Sequence, residues 1–116
     1  MEKYDPHEAI NYIYTNSDAY ALAKGHLAEL EVWKSSLKAI KMAESNEQTV
    51  TAQEREAYRS EDYQNLSKAI GEATRQAEAL RWKLEAAKMR FQAWQTESAN
   101  NRQIERLTVW TSQKNF

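Results

Sequence analysis

The 116-residue chain holds two Gly, one Pro and no Cys, so it lacks the turn residues that strands joined by tight turns require. Without Cys it has no disulfides, no CxxC redox chemistry and no thiolate metal sites, and a net charge of −1 argues against indiscriminate binding to polyanions. Ala, Glu, Lys, Gln, Arg and Leu dominate, which favours helix throughout. We therefore predict one all-α domain over residues 1–116.

The first predicted element is a short helix that begins at Asp5 and Pro6, an N-cap acceptor followed by proline at the first helical position. It reaches about Tyr14. Residues 15–18 are Thr, Asn, Ser and Asp, whose side chains compete for backbone hydrogen bonds. They predict a break or kink, which makes residues 1–17 an N-terminal arm, and one continuous helix is the alternative.

Residues 18–44 form the second predicted element, an amphipathic helix about 40 Å long at roughly 1.5 Å per residue. Gly25 lies inside it, at a cost of about 1 kcal/mol relative to Ala. We expect a close crossing with another helix to explain that glycine. The apolar stripe of this helix comprises Leu22, Ala23, Leu27, Leu30, Trp33, Leu37 and Ile40.

Residues 45–60 are predicted to connect the two main helices. Thr51 and Glu54 have the spacing of a capping box, which predicts a short helix over residues 52–58. Ser60, followed by two acidic residues, is predicted to cap the long helix that comes next.

The long helix is predicted to run from residue 61 to about residue 105 or 106, some 65 Å at the standard rise. Its apolar seam has an unbroken three-four spacing, so we predict a coiled-coil-like antiparallel hairpin with the 18–44 helix. The part that overhangs its partner needs cover from the N-terminal arm, the short helix or another chain. Residues 107–116 are too irregular to assign. The seam consists of Tyr63, Leu66, Ile70, Ala73, Ala77, Leu80, Leu84, Ala87, Phe91, Trp94 and Ser98.

The same helix carries a second apolar row on a different face. A helix that is apolar on two faces should be buried on both. We expect either the N-terminal segment or a second subunit to cover the second row, which predicts a homo-oligomer (a dimer or larger) or a groove for a protein partner. The row contains Ala79, Trp82, Ala86, Met89, Ala93, Ile104 and Leu107, of which Trp82, Met89, Ala93, Ile104 and Leu107 are the candidate interface.

Charge differs between the two halves of the chain. Residues 1–62 carry seven Lys and Arg against twelve Asp and Glu, and residues 63–116 carry nine against five. Either an acidic arm folds on a basic one, or a basic surface awaits a partner. Cations near Trp82 and Trp94 have the composition of a single-strand nucleic-acid site, although burial of the rings and solvation of the cations is the commoner outcome. The candidate contacts are Arg81, Lys83, Lys88, Arg90, Arg102 and Arg106.

Catalytic chemistry is not indicated. No nucleophile elbow or Gly-rich phosphate loop occurs, and His7 and His26 lack the spacing of metal ligands. We expect a non-enzymatic protein without cofactor or metal. No apolar run approaches the length of a membrane span, and the acidic N-terminus is not typical of a signal peptide, so a cytoplasmic protein without membrane association is expected.

Around Leu80, Trp82, Leu84 and Trp94, together with Asn100 and Arg102, the sequence resembles a loosely defined family of short, mostly uncharacterised proteins encoded by tailed temperate bacteriophages. The resemblance covers most of residues 20–106. It implies a setting, the bacterial host cell, and genes that often lie near recombination or replication functions. It implies no catalytic residues.

Three hypotheses follow for function. The first is an accessory or adaptor protein of phage DNA metabolism that binds a protein and, as a further option, single-stranded nucleic acid. The second is a phage-encoded inhibitor that occludes a host defence nucleoprotein or nuclease. The third is a structural coiled-coil protein of the virion.

Overall fold

A computed structural model describes residues 3–114 of the chain. It contains three α-helices: α1, Pro6–Glu44; α2, Val50–Arg59; and α3, Glu61–Lys114. The described residues include no strand. The predicted all-α hairpin with one long helix is confirmed. No helix within the described residues combines the length and the apolar character needed to cross a bilayer.

Helix α1 begins as predicted but does not break. The Asp5 carboxylate accepts a hydrogen bond from the backbone N–H of His7 at 2.9 Å, which caps the helix start. The Asn16 side-chain amide donates to the carbonyl of Tyr12 at 2.8 Å, and the Ser17 hydroxyl donates to the carbonyl of Ile13 at 2.6 Å. The expected break is therefore wrong, because these side chains bond back to carbonyls four residues earlier within the helix.

The covered face of α1 follows a three-four spacing from Pro6 to Lys41 that is interrupted once, at the exposed Lys34. The predicted stripe was partly wrong, since Leu22, Trp33 and Ile40 are 78%, 48% and 41% exposed. A two-helix pairing covers only a narrow seam, and residues at its flanks stay in solvent. The residues of the seam that are buried or half-buried are Pro6, Ala9, Ile13, Asn16, Tyr20, Ala23, Leu27, Leu30, Leu37 and Lys41.

Gly25 has no packing role. A methyl group added to it would meet nothing within 4 Å. The expected close helix crossing at this position is therefore wrong, and no structural feature explains the glycine.

Helix α2 is capped two residues earlier than predicted, at Thr49 rather than Thr51. The Thr49 hydroxyl accepts from the backbone N–H of Ala52 at 3.1 Å, and the helix starts at Val50. Thr51 thus lies inside the first turn, so the capping box with Glu54 is wrong. The Glu54 carboxylate instead lies 3.7 Å from the Lys38 ammonium of α1.

We expect Thr49→Ala to lower the free energy of unfolding by about 1 kcal/mol, the usual cost of a lost N-cap. Thr51→Ala, the matched control, should change it by only a few tenths, because an exposed position inside a helix gains slightly from Ala. Urea denaturation of the two variants measures both values. Equal losses would mean that the hydroxyl of residue 51 contributes to the cap after all.

Ser60 is the single residue between α2 and α3, and it caps the end of α2 and the start of α3. Its N–H donates to the Ala57 carbonyl at 3.2 Å, which ends α2. Its hydroxyl accepts from the N–H of Tyr63 at 3.3 Å and donates to the Ala57 carbonyl at 2.7 Å. The predicted cap of the long helix is confirmed.

Helix α3 has the predicted seam but is longer than predicted. All eleven seam residues from Tyr63 to Ser98 are buried or half-buried, so the seam is confirmed. The helix continues to Lys114, and the part of the tail up to that residue is helical rather than irregular. Phe116 lies outside the described residues.

Contacts divide the chain into two compact units. The first is Asp18–Arg81, whose buried residues are Leu37, Ala57, Leu66, Ala73 and Ala77.

The second unit joins the chain before Asp18 to the chain after Arg81. Leu84 is buried there, and the Tyr4 ring lies 6.2 Å from that of Trp94, which lies 5.8 Å from Phe91. The N-terminal segment thus covers this part of the α3 seam, and residues 99–111 are all exposed.

Candidate interaction surface

From Trp82 onward, the second apolar row of α3 is exposed, whereas Ala79 at its start is half-buried. Trp82 is 60% exposed, Met89 66%, and Ile104 and Leu107 59% each. Ala86 and Ala93 between them are also exposed. The expectation that the N-terminal segment covers this row is therefore wrong, because that segment packs on the other seam.

The polar interruption within the row keeps the three-four spacing. Thr96, Asn100 and Gln103 continue it without a shift from Ala93 to Leu107. The Thr96 hydroxyl already donates to the carbonyl of Gln92 at 3.1 Å, which lowers the cost of covering this position. We name the whole set the outer row: Trp82, Ala86, Met89, Ala93, Thr96, Asn100, Gln103 and Leu107.

The outer row spans about 38 Å along the helix at roughly 1.5 Å per residue. Ile104 lies at its edge, and Val109 and Trp110 follow it with exposures of 56% and 58%. Large exposed apolar residues grouped along one helix face, here on both sides of a polar interruption, are typical of a protein interaction site, whereas scattered single residues are not.

The six candidate nucleic-acid contacts lie in three different settings. Arg81 pairs with Glu78 at 3.0 Å, and Lys88 pairs with Glu85 at 3.1 Å, both within the helix. These carboxylates offset the positive charge along that edge.

The other four cations are split between two grooves. The Arg90 guanidinium lies 4.9 Å from the centre of the Tyr4 ring, beside Lys83. Arg102 and Arg106 flank Glu105 in a shallow groove near Trp110. The structure therefore does not gather the six cations into one basic site.

Sequence reasoning missed the groove between the start of α1 and α3. It has a volume of about 590 Å³ and mixes acidic and basic side chains. The Tyr4 hydroxyl is buried and has no hydrogen-bond partner among residues 3–114. The signal was present, because the seam spacing continues through residues 9, 13 and 16. The lining residues are Lys3, Tyr4, Asp5, Glu8, Ala9, Tyr12, Lys83, Ala86, Ala87 and Arg90.

Two lysines of α1 hold the connection between the helices. The Lys41 ammonium lies 2.8 Å from the Asp62 carboxylate, and the Lys38 ammonium lies 5.0 Å from the centre of the Tyr58 ring. The hydrogen bond to Asp62 raises the pKa of Lys41 above its usual 10.5. Since Lys38, Lys41 and their carboxylate partners all lie within residues 1–62, these pairs do not join an acidic half to a basic one.

The raised pKa of Lys41 predicts a pH dependence of stability. A cation whose pKa is higher in the folded state stabilises fully below its unfolded pKa of 10.5 and loses that contribution as pH rises through the folded value. Asp62→Asn should therefore melt at a lower temperature than the wild type at neutral pH. The difference should shrink above about pH 10.5.

Thermal melts of both proteins across this range test it. Glu61→Gln, a change at the neighbouring exposed carboxylate, is the control and should show a smaller, less pH-dependent difference. A gap for Asp62→Asn that stays constant through the alkaline range would contradict the assignment.

Within the described residues, no group of three or more His, Asp or Glu side chains is arranged to hold a metal ion. His26 is exposed.

The chain has no significant match among protein-family models, curated proteins or solved structures. The resemblance to phage-encoded proteins therefore stays a prediction.

Proposed function

We propose that this protein is a non-enzymatic helical adaptor that binds protein through the outer row of α3. The resemblance of residues 20–106 to phage-encoded proteins suggests its setting, which is DNA recombination or replication in the bacterial host cell. The single observation that supports the proposal is the exposure of Trp82, Met89, Ile104 and Leu107 along one side of α3.

The balance of buried and exposed apolar residues favours association. Within residues 3–111, six hydrophobic residues are buried, and three of them are Ala, whereas fifteen large hydrophobic residues are exposed. Burying one large apolar side chain is worth about 1.5–3 kcal/mol. Covering the three large apolar residues of the outer row and Ile104 at its edge can therefore offset the cost of association, which is on the order of 4–15 kcal/mol.

Protein is better supported than nucleic acid as the ligand. Arg81 and Lys88 have carboxylate partners on their own helix, and the outer row has two polar amides and no charged residue along its centre. A surface that binds phosphates would instead present uncompensated cations next to exposed rings.

Affinity capture from phage-infected host cells tests the proposal. The wild type and Val32→Glu, a control on an exposed position of α1 (71% exposed), should retain the same stoichiometric protein. Met89→Glu should lose it. Retention of the same protein by Met89→Glu would overturn the role of the outer row.

A gel-shift assay at low salt distinguishes protein binding from the alternative, which is binding of single-stranded nucleic acid. We expect no retardation of single-stranded DNA. Salt-dependent retardation that decreases in the double variant Arg102→Ala, Arg106→Ala would mean that the ligand is nucleic acid rather than protein.

A further inference from the structure

We propose that the protein bound at the outer row is a second copy of this chain, with the two α3 helices antiparallel about a two-fold axis that passes between positions 94 and 95. The proposal rests on the outer row being the binding surface. In this arrangement Trp82 lies opposite Leu107 of the second copy, and Met89 opposite Asn100. Ala93 lies opposite Thr96 next to the axis.

The spacing of the outer row is the first reason. Its eight residues alternate steps of three and four, and a row with that period packs along a helix of the same period. The row is also symmetric about its own midpoint, because reversing the helix places each row position opposite another row position. Small residues then meet larger ones: Ala86 lies opposite Gln103.

Charge at the flanks of the row is the second reason. Arg90 follows Met89, and Glu97 follows Thr96, so in this register Arg90 faces Glu97 of the second copy. On the other flank Glu85 faces Arg106. The two-fold axis repeats both, which gives four pairs of opposite charge, and such flank pairs determine the orientation and register of coiled coils.

Neighbouring registers lose this complementarity. An axis at position 91 places the two Arg90 residues opposite each other, and an axis at position 98 does the same for the two Glu97 residues. An axis between positions 87 and 88 places Lys83 opposite Arg90 and Leu107 opposite Lys68, which lies outside the outer row. Like charges that face each other are destabilising, so the register about positions 94 and 95 is selected.

Cysteine cross-linking tests the arrangement directly, because the wild-type chain contains no Cys. Ala86→Cys and Gln103→Cys are prepared separately and then mixed at about 100 μM under oxidising conditions. In the proposed register the two different cysteines face each other, whereas two copies of residue 86 lie about 26 Å apart along the axis at roughly 1.5 Å per residue. That distance is far beyond the reach of a disulfide.

The mixture should give a covalent dimer, and each variant alone should give none. A covalent dimer from Ala86→Cys alone would overturn the antiparallel register. No cross-link in the mixture, with circular dichroism showing both variants helical, would overturn the pairing itself.

Charge exchange tests the flanks. In sedimentation experiments Arg90→Glu should weaken dimerisation about tenfold or more, and Arg90→Glu with Glu97→Arg should restore most of the loss. Unchanged dimerisation in the single variant, or failure of the double variant to recover, would contradict the register. Val32→Glu serves as the control for added charge.

The two proposals fail differently. A wild type that is monomeric at about 100 μM would overturn pairing with a second copy. If Met89→Glu nevertheless loses the captured protein, the proposed adaptor function stands. A monomer whose captured protein is unaffected by Met89→Glu would overturn both.

Discussion

Leu37→Ala is expected to lower the free energy of unfolding by about 2–5 kcal/mol, the range for truncation of a buried leucine. Leu37 is 8% exposed and is, with Leu66, one of two large buried side chains in the unit Asp18–Arg81. The others are Ala. Because small domains are stable by only about 5–15 kcal/mol in total, this one change should shift the urea midpoint strongly or unfold the unit.

Leu22→Ala is the matched control. It makes the same change in the same helix, but Leu22 is 78% exposed, so the expected loss is within about 0.5 kcal/mol. Urea denaturation followed by circular dichroism gives both values. Similar midpoints for the two variants would show that Leu37 does not belong to the core.

Ala73→Leu is expected to destabilise the same unit by about 1–3 kcal/mol through overpacking. Ala73 is 5% exposed within the α3 seam, and Ala77, one turn later, is 4% exposed. The small side chains leave no room for added methylene groups. Nearby side chains would have to leave their preferred rotamers to accept the larger residue.

Ala69→Leu, four residues earlier on the exposed side of α3, provides the comparison. Ala and Leu have similar helix propensities, so stability should change by only a few tenths of a kcal/mol. Thermal and urea melts of both variants measure the two changes in stability. A stabilised Ala73→Leu would mean that a cavity lies beside Ala73.

The parts of the fold that could be predicted are those determined by a long regular pattern or by a local chemical signal. Eleven seam positions from Tyr63 to Ser98 constrain one another, and an error in one would not have changed the helix. Asp5 and Ser60 are followed by residues that fit a helix start. These caps depend on contacts within a few residues, which the sequence contains in full.

Residues with two comparable hydrogen-bonding options could not be predicted locally. Asn16 and Ser17 can cap a helix or bond back within one, and packing of the first part of α1 on α3 favoured the second option. Thr49 and Thr51 are both competent caps. The choice between them depends on where α2 contacts Lys38, which the order of residues does not reveal.

The candidate site was predictable in composition but not in exposure. Trp82 and Met89 were recognisable as a second apolar face, yet whether the N-terminal segment covers that face depends on the register of α1. The groove at Tyr4 was missed for the same reason, since residues 1–17 were assigned to a separate arm.

The one-residue connection at Ser60 determines the entropic cost of forming each contact between the two sides of the hairpin. Once α2 has turned the chain, the contact between Lys41 and Asp62 closes a short loop. The contact between Tyr4 and Trp94 closes a loop about four times as long, at an additional entropic cost of about 1.2 kcal/mol. We therefore expect amide hydrogen exchange to be slowest near Ser60 and faster toward the chain ends. Contacts of the hairpin should form from the turn outward and open first at the ends of the chain.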